Sequence, residues 1–233
     1  MVAERTGVTG MRWGPLAAAS GAGSAVLAML AFLIAQGPED TGSLPSILGY
    51  FAAHDDRVRW QALLFGLATA LLLWFAATLA SATRAAEAEA GLRYGGVILA
   101  SAGATVALYL VGITGWFALA EQFGGARGVP PASPPLGDAA TLWNLADAAY
   151  TLSNFPAAVF VAAGAIAALN SRLTGGWLAG SGGAIALLLL VNGVVGTLGD
   201  AEILGLLAFV AFLAWMFTAS VALIVSDRRL ERA

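Results

Sequence analysis

The chain is 233 residues long, 59% hydrophobic and 11% charged, with a net charge of −3 and a mean hydropathy of +0.82. Soluble domains carry about 25% charged residues, so this composition argues against an ordinary soluble domain and indicates an integral membrane protein in a lipid bilayer. Because no long polar segment could form a second core, residues 1–233 are predicted to be a single transmembrane domain. The small net charge and the lack of a basic stripe argue against nucleic acid as a partner.

The rare residue types narrow the possible chemistry. Cysteine is absent, which excludes disulfides, thiolate metal sites, iron–sulfur clusters and a cysteine nucleophile. All eleven basic residues are arginine, so no lysine imine can form. His54 is the single histidine and lies beside Asp55 and Asp56, but no further histidine or cysteine completes a zinc site. We therefore expect no cofactor, no metal and no catalytic residue, and no hydrolase, Walker or Rossmann motif supports an enzyme.

Six segments are each apolar over about twenty residues or more, the length that crosses a hydrocarbon core of about 30 Å. They predict an all-α, polytopic bundle of six transmembrane helices. The first segment follows two arginines, as the apolar core of a signal peptide does. That core is usually about 7–15 residues long, and the apolar run here is longer, so the segment is predicted to be retained as a transmembrane helix. The six predicted spans are about 15–36, 58–82, 95–120, 140–169, 177–198 and 203–225.

Arginine is unevenly distributed between the two sides of the predicted bundle. The side with both termini and loops 83–94 and 170–176 carries eight arginines, and the other side carries Arg57, Arg59 and Arg127. The positive-inside rule then places the N and C termini in the cytoplasm. The predicted location of the protein is the cell inner (plasma) membrane. Trp60, Trp116 and Trp143 are expected at the outer interface, where tryptophan is enriched.

A short amphipathic outer helix is predicted near 44–54. Leu44, Ile47, Leu48 and Phe51 recur at i, i+3, i+4 and i+7, with Ser43 suited to the N-cap and a proline in the first turn. We expect this helix to lie on the membrane surface or to cap the bundle.

Glycine is dense inside the spans, for example at Gly176, Gly180, Gly182, Gly183 and Gly193. In lipid, helices associate by close backbone approach, so small residues at these spacings mark helix–helix contacts. Such contacts could be made within the chain, which we favour, or in a homo-oligomer.

The fourth span carries an unusual polar stripe. Asn144, Asp147, Thr151 and Asn154 fall within about 80° of one another on a helix. Asp147 is the one acid inside a predicted span, about 10 Å deep at 1.5 Å per residue. A charge at the centre of a membrane helix costs at least about 2.5–3.5 kcal/mol, so Asp147 should face the bundle interior or water. The candidate ligand-binding residues are Asp147, Asn144, Tyr150, Thr151 and Asn154.

The stripe leaves two main functions open, and a membrane enzyme that acts on lipid is a third. In the first, an outward-facing polar cavity lined by these residues binds or translocates a small polar molecule, cation or proton, and a helix kink at Pro156 helps to open it. In the second, the protein is a non-catalytic accessory or assembly subunit, and the stripe packs against partner membrane helices.

Two segments carry a family resemblance. The sequences AAHDDRVRWQALLFGLATALLLWFAATLASATRAAE at 52–87 and AAYTLSNFPAAVFVAAGAIAAL at 148–169 resemble those of uncharacterised actinobacterial multi-pass integral membrane proteins. The resemblance implies a membrane bundle of six or seven helices and no particular activity.

Overall fold

The structure is a computed structural model that describes residues 15–38, 40–83, 93–124, 136–171, 176–199 and 202–230. The described residues form seven α-helices and no strand. Six of the helices are long and apolar enough to cross a membrane, which confirms the predicted polytopic all-α bundle, and the short helix at 44–53 confirms the predicted amphipathic one. In chain order they are α1 (Pro15–Ile34), α2 (Leu44–Ala53), α3 (Asp55–Ala82), α4 (Tyr94–Phe123), α5 (Leu136–Ser171), α6 (Gly176–Leu198) and α7 (Glu202–Leu230).

Most of the arginines behind the predicted orientation lie outside the described residues, as does most of the proline-rich loop between α4 and α5. The placement of the termini therefore stays a prediction. Helix α2 lies at one end of the bundle, the α2 end, and the other end is the opposite end.

The six spanning helices form a closed ring. Each packs against the next spanning helix along the chain, and α7 returns to pack against α1. Large aromatic side chains fill the middle of the ring. Phe160 on α5 lies 6.4 Å from Phe75 on α3 and 5.9 Å from Trp215 on α7, measured between ring centroids, and all three are buried. Side chains from across the ring thus form one core.

Hydroxyl groups join α1 to its two neighbours. Ser24 on α1 donates to the carbonyl of Ala68 on α3 at 2.8 Å, and Ser220 on α7 donates to the carbonyl of Ala18 on α1. Both serines are buried. Interhelical hydrogen bonds of this kind stabilise membrane bundles by about 0.6 kcal/mol each on average.

Adjacent glycines on α6 have different surroundings. A Cβ atom added to Gly182 would lie 2.6 Å from the Cβ of Ala165 and 2.8 Å from Nε1 of Trp215, whereas one added to Gly183 would meet nothing within 4 Å. Gly193 packs under the ring of Phe155 on α5, and Gly180 faces open space like Gly183. Contacts within the chain therefore account for Gly182 and Gly193.

The spanning helices differ in length, and this difference shapes the α2 end. Helices α1 and α6 have 20 and 23 residues, whereas α3, α4 and α5 have 28, 30 and 36. At the opposite end, the start of α4 and the end of α5 lie at the same height in the bundle. The side-chain amide of Asn170 there donates to the hydroxyl of Tyr94 at 2.7 Å. At the α2 end α1 stops where Gln61 of α3 donates to the carbonyl of Ala35 at 2.7 Å. The extra length of α3, α4 and α5 therefore projects at the α2 end.

These projecting ends and α2 form a small cap with its own hydrophobic core. The buried members of this core come from four helices and the α1–α2 connection: Ala35, Ile47, Phe51, Val58, Leu119, Ala120 and Ala139. The amphipathic pattern of α2 thus points at the projecting helix ends, and the prediction that α2 caps the bundle is confirmed.

Candidate functional site

Aromatic packing holds α2 on the cap. Phe51 is fully buried, and its ring centroid lies 5.7 Å from that of Trp116 and 6.3 Å from that of Trp143. The two indoles stack at 5.9 Å with an interplanar angle of 19°. Ser43 caps α2 as predicted, with its hydroxyl accepting from the backbone N–H of Ser46 at 3.3 Å. Trp116 and Trp143 therefore pack against the core of the cap, and their predicted position at the outer interface stays a prediction.

The segment that leads from α1 to α2 is fixed by a hydrogen bond and a tight turn. The Tyr50 hydroxyl accepts from the backbone N–H of Gly37 at 3.1 Å. Gly37 has a φ of +94°, a left-handed conformation that suits glycine, and a Cβ there would lie 3.0 Å from the Trp116 ring. Burial raises the pKa of Tyr50, while the Gly37 hydrogen bond and the charge of Arg57 oppose that rise.

An ion-pair cluster joins α3 to α4 in the cap. Nε of Arg59 donates to Oε1 of Glu121 at 2.8 Å. The guanidinium nitrogens of Arg59 also lie 3.6 Å from Asp55 and 3.5 Å from Asp56. The Arg59 side chain is 28% exposed, so solvent screens these interactions and their net contribution is modest. The positive charge of Arg59 thus neutralises part of the charge of the neighbouring acids and links the start of α3 to the end of α4.

Within the predicted stripe, Tyr150 points into the bundle. Its ring packs on α4 at Gly112, where an added Cβ would lie 2.8 Å from the Tyr150 ring. The ring centroids of Trp116 and Tyr109 lie 6.1 Å and 6.3 Å from that of Tyr150. Ser153, one turn along α5, donates its hydroxyl to the backbone carbonyl of Tyr150 at 2.6 Å. Tyr150 therefore belongs to the packed seam between α4 and α5.

Thr151 and Asn154 are half-buried. Helix periodicity places them on the same side of α5 as Phe155 and Ala165, which contact α6. The Asn154 amide donates to the backbone carbonyls of Thr151 at 2.9 Å and Tyr150 at 3.3 Å. Pro156 lies inside α5, two residues after Asn154. The carbonyls that accept from Asn154 belong to the turn of α5 that precedes Asn154. These hydrogen bonds use the donors of Asn154 locally.

The side chains of Asn144 and Asp147 are exposed to the surroundings of the bundle, although Asp147 still interacts within the chain, and the length of α6 explains the exposure. The antiparallel helices α5 and α6 meet at Ala165 with Gly182 and at Phe155 with Gly193. Since Leu198 ends α6 five residues after Gly193, α6 stops about level with Tyr150. The face of α5 that α6 covers further along is left uncovered beyond that point.

We call this uncovered face the polar ledge and define it by its exposed residues Thr141, Asn144, Asp147 and Ala148. The structure thus separates the predicted site residues into three places. Tyr150 lies in the α4–α5 seam, Thr151 and Asn154 lie against α6, and Asn144 and Asp147 lie on the ledge.

Helix lengths indicate where the ledge lies relative to the bilayer. The 23 residues of α6 span about 34 Å at 1.5 Å per residue, close to the hydrocarbon thickness of about 30 Å. Trp177, beside the first residue of α6, is 59% exposed, as suits a side chain at the interface. Because Asp147 lies beyond the end of α6, we expect its side chain near headgroup level. The sequence-based depth of about 10 Å stays a prediction, because the helix segment long and apolar enough to cross a membrane, Gly137–Asn170, includes Asp147.

Two small cavities in the described part of the bundle lie away from the stripe. One of about 20 Å³ lies between α1, α3, α4 and α7, among Ala28, Phe65 and Phe212. Another of about 10 Å³ lies beside Trp215, near the opposite end. Neither is lined by a predicted site residue. Among the described residues, no group of three or more histidine, aspartate or glutamate side chains is arranged to hold a metal ion.

The ledge depends on a feature that the predicted spans already contained. The fourth predicted span, 140–169, is longer than the fifth, 177–198, and this difference signals that part of α5 extends past α6. Leu198 ends α6 and is 83% exposed; it lies at the level where α5 becomes uncovered, and no sequence pattern identified it. Compared with known proteins, the chain matches no family model, no curated protein and no solved structure, so no relative assigns an activity to this site.

Proposed function

We propose that this integral membrane protein is a non-catalytic accessory subunit of the inner (plasma) membrane that packs against a partner membrane protein through the polar ledge. The observation that carries the proposal is the exposure of Asn144 and Asp147 on a face of α5 that α6 covers elsewhere. A helix face that continues a packed seam and is polar at headgroup level suits contact with another protein more than contact with acyl chains.

The distribution of the polar groups supports a binding role over catalysis. A catalytic group must lie within hydrogen-bond reach of a shared substrate. Tyr150 packs inward against Gly112, Asn154 bonds back to its own helix, and Asn144 and Asp147 point outward. The exposed residues of the stripe therefore form a surface that can bind a partner, and the polar groups do not converge on one catalytic site. If the termini are cytoplasmic, as the arginine distribution predicts, this surface faces the outside of the cell.

A site-specific photo-crosslinker tests the proposal in the native membrane. We expect a photoreactive residue at Ala148, on the ledge, to give a discrete adduct with one other membrane protein, and Asp147→Ala to weaken that adduct. The matched control places the same group at Leu67, which is 49% exposed on α3 and far from the ledge. No adduct at Ala148, equal adducts at both positions, or an adduct made only of two copies of this chain would contradict the accessory function.

The same aspartate separates this function from the alternative of a protein that binds or translocates a small polar molecule, cation or proton. In proteoliposomes that contain this chain alone, we expect Asp147→Asn to leave proton and monovalent-cation flux at the level of protein-free vesicles, as for the unmodified chain. A flux that the unmodified chain supports and Asp147→Asn abolishes would favour the translocation function and overturn the accessory one.

A further inference from the structure

The part of α5 that projects beyond the end of α6 is packed on one face, against α4 and the cap core. Gly115 on α4 lies close to its backbone, since an added Cβ there would lie 2.9 Å from the Cβ of Ala146 and 3.1 Å from the carbonyl oxygen of Leu142. Ala139 is fully buried in the cap core. Ala148 of the polar ledge follows Ala139 by nine residues, which places it about 180° around the helix. The ledge therefore lies opposite the contacts that fix the end of α5.

The ring of Phe51 connects α2 to both of these helices. It is fully buried, and its centroid lies 5.7 Å from that of Trp116 on α4 and 6.3 Å from that of Trp143 on α5. The two indoles stack on each other at 5.9 Å. Trp143 directly precedes Asn144 of the ledge. One side chain of α2 thus contacts the helix that carries the ledge and the helix that supports it.

We infer that helix α2 positions the polar ledge for the partner protein and that Phe51 is the positioning residue through which α2 acts. This inference rests on the proposed function, which assigns the ledge to the partner. Because Phe51 is fully buried, it does not touch the partner. It fixes the direction of the α5 end, and with it the direction in which Asn144 and Asp147 are presented. Without the ring, the end of α5 tilts about its close contact with Gly115.

The cap can lose its packing while the ring of spanning helices stays closed. The cap core around Phe51 and Val58 is a cluster of its own, separate from the main core around Phe75 and Phe160. Local openings of one such unit require less free energy than global unfolding. The apparent affinity for a partner falls in proportion to the fraction of molecules in the binding-competent arrangement. Loss of the Phe51 ring should therefore weaken partner binding in molecules that remain folded.

Photo-crosslinking from Ala148 in the native membrane tests the inference. We expect Phe51→Ala to lower the yield of the partner adduct at least about tenfold, because the missing ring leaves a cavity between α2, α4 and α5. Phe51→Leu keeps most of the volume and should lower the yield much less. Phe75→Ala is the matched control, since Phe75 is equally buried but lies in the main core. Its adduct yield per folded molecule should stay within about twofold of the unmodified chain. If Phe75→Ala does not fold, Met216→Ala, also in the main core, replaces it.

A distance measurement on the purified chain reports the position of the α5 end without any partner. The chain contains no cysteine, so nitroxide labels can be attached at Asn144→Cys on α5 and Leu187→Cys on α6. We expect Phe51→Ala to shift or broaden the distance distribution between these two labels. The control pair, Leu67→Cys on α3 with Leu187→Cys, should keep its distribution, because both residues lie on spanning helices outside the cap. Thermal unfolding of each variant checks that it is folded.

The two measurements separate this inference from the proposed function. An adduct that forms equally well with Phe51→Ala, or that Phe75→Ala weakens as much, would overturn the inference, while the accessory function would stand. If the unmodified chain gives no adduct at Ala148, the accessory function fails. The distance measurement then decides the positioning role by itself, and an unchanged distribution between positions 144 and 187 in Phe51→Ala would overturn it.

Discussion

Gly182 is the position where a single added methyl group should disturb the bundle most clearly. Its missing Cβ would lie 2.6 Å from the Cβ of Ala165 on α5 and 2.8 Å from Nε1 of Trp215 on α7. The indole cannot move aside easily, because a Cβ on Gly164 would lie 2.8 Å from its far edge and Trp215 is only 2% exposed. Gly182→Ala must therefore push α6 away from two helices at once.

The size of the effect follows by comparison with Gly183→Ala. Both substitutions gain the same intrinsic helix preference of alanine over glycine, about 1 kcal/mol, but an added Cβ on Gly183 meets nothing within 4 Å. Overpacking a filled core costs about 1–3 kcal/mol, so the free energy of unfolding should be lower for Gly182→Ala by about that amount. At about 2–4 °C per kcal/mol for a domain of this size, its Tm should lie about 2–12 °C below that of Gly183→Ala.

Thermal unfolding of both variants in the same detergent, followed by tryptophan fluorescence, measures the difference. Gly183→Ala should melt at or slightly above the temperature of the unmodified protein. Equal melting of the two variants, or a more stable Gly182→Ala, would refute the close packing of α5, α6 and α7 around Trp215.

Three further predictions concern the cap. Phe51→Ala should cost about 3–5 kcal/mol of local stability, because it removes a fully buried ring from the cap core, and faster hydrogen exchange in α2 with little change in α7 would report it. Arg59→Leu should destabilise the protein by about 1 kcal/mol, a value that allows for solvent screening, and Glu121→Gln in the same background should recover part of that loss in chemical denaturation. Because burial raises the pKa of Tyr50, the folded protein keeps that proton more tightly than the unfolded chain. The stability that Tyr50 contributes through this proton is therefore complete below its ordinary pKa near 10 and is lost as the pH rises through the pKa of the folded state. Tyr50→Phe should therefore reduce the loss of stability that is measured above about pH 10.

The sequence predicted the helices well because their signals are local. An apolar run long enough for the bilayer specifies a spanning helix, and all six predicted spans overlap observed helices. The spacing of Ile47 and Phe51 likewise predicted which face of α2 would be buried. These features depend on the order of residues within one segment.

Features that depend on neighbouring helices could not be predicted in the same way. The period of α5 placed Asn144, Asp147, Thr151 and Asn154 on one face, but the direction of that face depends on α6, and its exposure depends on where α6 ends. Adjacent glycines are a second example, since Gly182 is in close contact and Gly183 is open, although both sit in the same small-residue pattern. Spacing identifies candidates for close packing, and the tertiary arrangement decides between them.

The first two residues of the polar stripe, Asn144 and Asp147, lie exposed where α5 extends beyond the end of α6. The chain contains no cysteine, so single-cysteine variants that carry a nitroxide label can test this claim in lipid bilayers. The most direct measurement compares Asn144→Cys with Leu187→Cys, which lies within the span on α6 and is 62% exposed. We predict that the label at position 144 is relaxed mainly by a water-soluble nickel complex, and the label at position 187 mainly by oxygen dissolved in the hydrocarbon. A label at position 144 that neither reagent reaches, or that oxygen relaxes as strongly as it does at position 187, would contradict the account.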